Sequence, residues 1–227
     1  MAWLLFAALL WIFVHVGISG TGLRGQIAGR IGEGAYRGVF SGLSFLSIAL
    51  LVRAWGTMET TPLWTAPDAL RWVLVLLMLP AFILFVAAVT KPNPTAIGGD
   101  REMGAEPRGI QRITRHPMLW AFALWAFVHL VGNGDTAAIV FFGAFLVTAL
   151  AGMPSIDAKL AARAPGAWAR LAATTSILPF GAIAAGRNRL VPGEIGWIPP
   201  VVGLVAWAAL LHFHRGLFGV APVMMGG

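Results

Sequence analysis

Residues 72–90 read WVLVLLMLPAFILFVAAVT and carry no charged side chain between Arg71 and Lys91. A helix that crosses a bilayer needs about 20 consecutive, largely apolar residues. This stretch therefore predicts a transmembrane helix. Inside a bilayer every backbone polar group must be paired within the protein, which favours a bundle of helices for such a chain.

The composition of the whole chain agrees with this interpretation. Of its 227 residues, 58% are hydrophobic and 11% are charged, whereas soluble domains average about 25% charged residues. The mean hydropathy is +0.80. These values exclude a water-soluble fold, and the length predicts a single transmembrane domain over residues 1–227.

The absence of cysteine excludes disulfides, zinc–thiolate sites, iron–sulfur clusters and a thiol nucleophile.

Five further uncharged stretches extend the prediction to an all-α integral membrane protein, a polytopic bundle of about six transmembrane helices. A shorter uncharged segment near 171–186 is broken by Pro179 and predicts an interfacial or re-entrant element. Residues 91–111 are rich in proline, glycine and charge, so they predict a loop. The five further stretches are 1–23, 38–52, 116–134, 136–156 and 195–214.

The distribution of Lys and Arg predicts the orientation. Cytoplasmic loops of membrane proteins collect these residues, and here they concentrate in the first, third and fifth loops. We therefore expect a multi-pass protein of a bacterial inner membrane, surrounded by lipid, with both termini periplasmic. The same rule explains the net charge of +7. No basic run is interleaved with stacking aromatic residues, so nucleic acid is excluded as a partner.

Two histidines within predicted spans are the main candidates for chemistry. An ionisable side chain at membrane depth indicates a functional site, and imidazole is a common axial ligand of haem iron. The alternative is a packing histidine that is hydrogen-bonded to a neighbouring helix. The two are His15 and His129, each with a tryptophan one turn earlier (Trp11, Trp125) and a polar residue one turn later (Ser19, Asn133). Ser19 and Asn133 are predicted to belong to the cofactor site, as hydrogen-bond partners that support the two imidazoles.

The tripeptide Arg115-His116-Pro117 marks the start of the fourth span. Proline suits the first position of a helix, and a helix N-terminus bearing arginine suits a propionate, phosphate or carboxylate. Arg115 and His116 are therefore predicted to bind an anion or a haem edge. A positively charged anchor at the membrane surface is the alternative.

The remaining histidines, His212 and His214, stand beside Arg215 at the end of the sixth span. They point about 200° apart on a helix, so they do not share a face. Interfacial capping of the bundle is the role that the sequence favours for them.

Taken in order, several short motifs resemble the NnrU family of integral membrane proteins. The similarity extends from the first span to about Phe180. Its most specific block is RITRHP at 112–117, followed by Trp120, Trp125, His129 and NGD at 133–135. Other matching positions are His15, Ser19, Leu23, Arg24, Arg30, Gly32, Glu33, Tyr36, Arg37, Phe40, Ser41, Ser44, residues 63–67, Phe142, Gly143, Thr175, Ser176 and Pro179.

This resemblance implies a function. The family includes a haem-dependent zeta-carotene isomerase, which turns a cis double bond of a polyene to trans, and bacterial members linked by name to nitrite and nitric oxide reduction. It implies a b-type haem with His15 and His129 as axial ligands. It also implies either an apolar polyene substrate or nitrogen-oxide respiratory enzymes as partners. The isomerase has a cysteine near its second histidine; this chain has Ala126 there, so a thiolate ligand is excluded.

Depth in the membrane leaves a second ligand pair open. Thirteen residues separate His116 from His129, which is about 20 Å along a helix. His15 is expected near the cytoplasmic side, so His116 matches its depth more closely than His129 does. Resemblance therefore favours His15 with His129, and depth favours His15 with His116.

Two other functions remain open at this stage. Membrane methyltransferases that act on isoprenylcysteine or phosphatidylethanolamine also carry Arg-His-Pro at a helix start, followed by an acidic pair, of which only Asp157 is present here. The third alternative is a non-enzymatic assembly factor for a respiratory complex. The residues that fit the methyltransferase pattern are Arg115, His116, Pro117, Asp157, Leu160, Gly166, Trp168 and Pro179.

Overall fold

The structure, a computed structural model, describes residues 1–96, 99–102 and 104–223, without the side chains of residues 100 and 101. Each regular element in these ranges is helical. They are α1 (Ala2–Ile12), a π-helical turn (Phe13–Ile18), α2 (Leu23–Ile31), α3 (Glu33–Gly56), α4 (Asp68–Thr90), a 3₁₀ turn (Gly99–Glu102), α5 (Ile110–Ile113), α6 (Pro117–Asn133), α7 (Thr136–Arg163), α8 (Pro165–Thr174), α9 (Gly181–Ala184), α10 (Pro192–Ile195) and α11 (Ile198–Phe218).

The six predicted apolar stretches all fall on helices, which confirms an all-α polytopic membrane protein. Four helices (α3, α4, α7 and α11) are individually long and apolar enough to cross a membrane. A fifth candidate is α1 together with the π-helical turn and α2, if this bent pair is counted as one span. Helix α6 is apolar but has 17 residues, slightly below the length of the others.

The first predicted span differs from the observed helix at its C-terminal end. Instead of continuing to residue 23, the chain bends by 78° between Ile18 and Leu23. A Cβ at Gly20 would lie 2.2 Å from the Val16 carbonyl oxygen, so the bend requires glycine. Ser155 and Lys159 of α7 then donate hydrogen bonds to the carbonyl oxygens of Gly20 and Ser19, which fixes this end of the helix.

Residues 171–186 form no seventh span. Helix α8 ends at Thr174, and α9 contains only Gly181–Ala184. Between them the chain passes the N-terminal end of α6. There the backbone carbonyl oxygen of Ser176 accepts a hydrogen bond from the backbone N–H of Arg115 at 3.1 Å. The segment therefore covers the end of the bundle, in agreement with an interfacial element.

The long helices pack in the order α11, α4, α6, α7, α1, α3, each against the next. The main core lies among α1, α3, α6 and α7. Small side chains let helix backbones approach closely in a membrane, where lipid is as apolar as the helices themselves. The buried alanines of this core are Ala7, Ala8, Ala54, Ala126, Ala137, Ala138 and Ala144.

The predicted turn at 133–135 joins α6 to α7. Gly134 adopts a left-handed conformation, with φ of 67°, and Asp135 caps α7 by accepting the N–H of Ala138 at 2.8 Å. Thr60 also donates to Asp135, at 2.6 Å. The loop before α4 therefore closes over this end of the bundle.

We expect single-cysteine labelling to reproduce the orientation predicted from the basic loops. The chain has no native cysteine, so a membrane-impermeant maleimide reports only the introduced one. Leu63→Cys, exposed beside the 133–135 turn, should react in intact cells, and Arg189→Cys should react only after permeabilisation. A reporter at Gly227, which lies outside the described residues, should give a periplasmic signal. Reaction of Arg189→Cys in intact cells would overturn this orientation.

Candidate functional site

His15 lies in the π-helical turn that ends the first helix. Its Nδ1–H donates to the Trp11 carbonyl oxygen at 2.9 Å, so Nε2 of the neutral ring carries the lone pair. The ring stacks on Trp11 with centroids 3.8 Å apart and meets the edge of Phe40 at 5.5 Å. π-Helical turns are rare and occur frequently at functional sites.

Three buried polar atoms near His15 have no hydrogen-bond partner among the described residues. They are Trp11 Nε1, Tyr36 Oη and Ser44 Oγ. Tyr36 stacks on Phe40, and Ser44 follows Phe40 by one turn of α3. A buried unpaired polar group costs about 1–3 kcal/mol, so these atoms indicate where a ligand or water would bind. In the sequence, Tyr36 and Ser44 stand out only as family motif residues, and no spacing signal marks them as site residues.

His129 repeats the arrangement of His15 on α6. Its Nδ1–H donates to the Trp125 carbonyl oxygen at 2.7 Å, again leaving the lone pair on Nε2. The ring stacks on Phe142 of α7 with centroids 5.0 Å apart. It also faces His214 of α11, with ring centroids 6.3 Å apart.

The polar residues one turn after each histidine make other contacts. Asn133 donates to the backbone carbonyl of His129 at 2.7 Å, and the carbonyl of Ser19 accepts a hydrogen bond from Lys159. The imidazole Nδ1 atoms are instead held by the tryptophan carbonyls one turn earlier. The sequence shows this i−4 spacing, but it indicates only an aromatic residue beside each histidine.

His15 and His129 are not in ring contact with each other. They are joined through a series of aromatic contacts, in which Phe145 of α7 lies 4.9 Å from Trp11 and 5.3 Å from Trp125, measured between ring centroids. Helices α1 and α6 both pack on α7. The two predicted ligands therefore lie at either end of the Trp11–Phe145–Trp125 cluster.

Arg115 and His116 both bind Asp157 of α7. Arg115 donates through Nε and Nη2, with the shortest contact 2.6 Å, and His116 Nε2 lies 2.8 Å from Asp157 Oδ1. All three residues are buried, and His116 is 1% exposed. His116 Nδ1 is buried with no partner among the described residues. The guanidinium of Arg115 also lies 5.1 Å from the Trp168 ring.

The Arg115–His116–Asp157 cluster bears on two of the sequence hypotheses. Its geometry allows an anchor that joins the start of α6 to α7, because a bidentate carboxylate satisfies the guanidinium fork. An exogenous anion would have to compete with Asp157 for Arg115. The structure brings Arg115, His116, Asp157 and Trp168 together, as the methyltransferase pattern expects, but the acid is used by two internal partners.

A second ion pair fixes the loop before α6. Glu194 accepts two hydrogen bonds from Arg112, the shorter at 2.7 Å, and a third from the Gly109 N–H at 2.9 Å. These bonds, led by that from Arg112, lower the pKa of Glu194 to about 2. The same contact raises the pKa of Arg112. A Cβ at Gly109 would lie 2.8 Å from the Glu194 carbonyl oxygen, so the close approach requires glycine.

Replacing Glu194 with glutamine is expected to loosen this loop. Because the folded-state pKa is depressed, the stabilising ion pair is intact above pH about 4.5 and is lost as the pH falls through about 2. Glu194→Gln should therefore accelerate trypsin cleavage after Arg108 and Arg112 at neutral pH several-fold. Glu59→Gln, at an exposed position, is the matched control. Equal cleavage rates in the two variants would contradict the assignment.

His212 and His214 diverge, as the sequence predicted. His212 meets the ring of Phe213 edge-on, whereas His214 faces the bundle and His129. Its Nδ1–H donates to the Val220 carbonyl oxygen at 2.8 Å. The sequence assigned His214 to interfacial capping and gave no sign of its contact with His129.

The comparisons with known proteins agree with the resemblance seen in the motifs. A family model described as "NnrU protein" matches residues 3–222. Two curated relatives, from Zea mays and Arabidopsis thaliana, are described as "15-cis-zeta-carotene isomerase, chloroplastic", and each is 28% identical over 82% of this chain. The alignments cover 52% of each relative, so the chain spans about half of their length. No solved structure gives a significant match.

Proposed function

Because this chain belongs to the NnrU family, we propose that it is a membrane isomerase that binds one b-type haem and turns a cis double bond of an apolar polyene to trans. The observation that carries the proposal is the shared state of His15 and His129. In each, a backbone carbonyl holds Nδ1–H and leaves the Nε2 lone pair for a metal. The relatives described as isomerases suggest the substrate class.

The residues present fit a haem by the chemistry of their donors. Imidazole nitrogen is a common axial ligand of haem iron, and both histidines lie among aromatic rings. A carbonyl bound to the second ring nitrogen fixes the tautomer and orients a ligating imidazole. The unpaired Trp11 Nε1, Tyr36 Oη and Ser44 Oγ supply donors for polar groups of a bound ligand beside His15.

By the resemblance, His15 and His129 would hold the haem iron. The depth alternative, His15 with His116, has less support from the contacts, because His116 Nε2 is used by Asp157 at 2.8 Å. That contact favours a positioning role for His116. The bound haem would supply a redox-active iron close to the polyene.

The chain's own residues account for binding and exclusion of water. Isomerisation adds and removes no atoms, so the protein needs to hold an apolar chain and restrict rotation to one bond. The rings of Trp11, Trp125, Phe142 and Phe145 form the apolar wall next to both histidines. We place the protein in a bacterial inner membrane with periplasmic termini, and the polyene enters from the lipid.

An isomer-ratio assay tests the proposed activity. The purified protein, reduced and reconstituted in liposomes with 15-cis-zeta-carotene, should convert it to the 15-trans isomer, as followed by chromatography in the dark. A protein that carries haem but leaves the isomer ratio unchanged would refute the isomerase proposal. Liposomes that contain haemin and substrate but no protein provide the control for thermal isomerisation.

The other functions have less support. Nitrogen-oxide chemistry would use the same iron site, and binding of nitric oxide to the reduced protein without isomerase activity would favour it. The methyltransferase alternative is weakened because Arg115 and His116 both engage Asp157. An assembly factor would carry haem without turnover.

A further inference from the structure

A cavity lined by arginines lies at the end of the bundle where α6 begins. Its walls come from residues 104–107, from α8 and from residues 187–188, and its volume is about 480 Å³. Arg112, Arg170 and Arg187 line it, and Glu106 is the one acidic residue among the described lining residues. A concave site with an excess of positive charge attracts anions.

Arg112 is the fixed member of the three arginines. Its Nε and Nη2 donate to Glu194, and its Nη1 donates to Asn188 Oδ1 at 2.7 Å. Its side chain is 17% exposed. A guanidinium has five N–H donors, so Nη1 and Nη2 each keep one donor beyond these contacts. Glu194 balances the charge of Arg112, and the excess charge of the cavity therefore comes from Arg170 and Arg187.

Arg187 covers the C-terminal end of α8. Its Nη1 donates to three backbone carbonyl oxygens there, those of residues 172, 173 and 175, and Asn188 Nδ2 donates to a fourth, that of Thr174. Free carbonyls at a helix C-terminus repel an anion, and these contacts remove that repulsion. The Nε and Nη2 donors of Arg187 form no hydrogen bond within the described part of the chain.

Arg170 is the arginine that is free to bind a ligand. It is exposed on α8, and its guanidinium forms no hydrogen bond or ion pair among the described residues. A Cβ at Gly104 would lie 3.6 Å from Arg170 Nη2, so the guanidinium reaches the opposite wall of the cavity. The planar fork of a guanidinium matches the oxygens of a phosphate group.

The chain that follows α8 carries exposed apolar side chains. Leu178 is 64% exposed and Phe180 is 50% exposed. Phe180 has a φ of 62°, which bulky residues rarely adopt, and its N–H donates to the Ile113 carbonyl oxygen at 2.8 Å. Exposed apolar residues beside arginines are typical of segments that lie at the surface of an anionic membrane. This combination favours a phosphate that is attached to acyl chains over a free phosphate ion.

We propose that this cavity binds the phosphate group of an anionic phospholipid, with Arg170 and Arg187 as its hydrogen-bond donors. The acyl chains of the lipid lie along the apolar segment that contains Leu178 and Phe180. The site is independent of haem binding. It is also distinct from the anion site that the sequence predicts at Arg115, because Asp157 already occupies that guanidinium.

The test measures phosphatidylglycerol binding to the purified full chain in neutral detergent micelles by native mass spectrometry. Arg170→Gln should raise the dissociation constant about fivefold, the usual contribution of one basic residue near an anionic lipid surface. Glu106→Gln, which removes the acidic lining residue, should lower the dissociation constant. Arg30→Gln is the matched control, because Arg30 is exposed on α2, outside the cavity, and it should bind as the wild type does.

Three results would overturn the proposal. Equal dissociation constants in the wild type, Arg170→Gln and Glu106→Gln would show that the cavity is not the site. Equal binding of phosphatidylcholine and phosphatidylglycerol to the wild type would exclude selection for an anionic lipid. Displacement of phosphatidylglycerol by millimolar inorganic phosphate would show that the cavity binds free phosphate. Circular dichroism should give the same helix content for all variants, since the Arg170 side chain holds no other described residue.

Discussion

Replacing His129 with alanine should reduce bound haem by more than about 100-fold, since even loss of a group that supports a metal ligand costs 10–100-fold in affinity. His129 belongs to the pair that the resemblance assigns, so its loss removes one of the two proposed ligands. The haem-to-protein ratio of the purified variant, measured as the pyridine haemochromogen, gives the result.

The controls for this variant separate ligand loss from unfolding. Helix content by circular dichroism should remain at the wild-type level, because His129 is only half-buried and packs against Phe142. His212→Ala should retain wild-type haem content. Full haem retention in a folded His129→Ala protein would contradict the role of His129 as a ligand.

Asp157→Asn should destabilise the protein by about 3–5 kcal/mol, which is the usual cost of removing one partner from a buried ion pair. The side chains of Arg115 and His116 are 11% and 0% exposed, so neither can turn to solvent when the carboxylate is lost. Asparagine keeps the size of the side chain, so the change isolates the charge. Thermal or denaturant unfolding in detergent micelles measures the loss.

Asp68→Asn is the matched control for this prediction. Asp68 is exposed in the first turn of α4, and surface substitutions of this kind usually change stability by less than about 0.5 kcal/mol. If Asp157→Asn were as stable as Asp68→Asn, the cluster would not anchor α6 to α7. A role of Arg115 in binding an external anion would then gain support.

The helices could be predicted from the sequence because an uncharged, apolar stretch of about 20 residues has the length of a helix that crosses a bilayer. The ends of the helices were less predictable. The uncharged run 38–52 underestimates α3, which covers Glu33–Gly56. The run 136–156 likewise underestimates α7, which continues to Arg163. Charged residues continue a helix where they reach the interface or find a partner, as Asp157 does.

The site could be predicted only in part. The sequence identified His15, His116 and His129, because an ionisable group in an apolar span is unusual. It grouped Asp157 with Arg115 and His116 only as parts of a motif, without predicting the ion pair among them, and it did not identify His214 as the neighbour of His129. These contacts depend on the order of helices in the bundle and on the rotation of each helix about its axis, which local periodicity does not determine.

The absorption spectrum of the purified wild-type protein tests the central claim, haem binding, most directly. Protein expressed with adequate haem supply, or reconstituted with haemin, should show a Soret band, a low-spin ferric spectrum and the pyridine haemochromogen of haem b at one haem per chain. A folded protein with no Soret band after reconstitution would contradict haem binding and would leave His15 and His129 as packing residues.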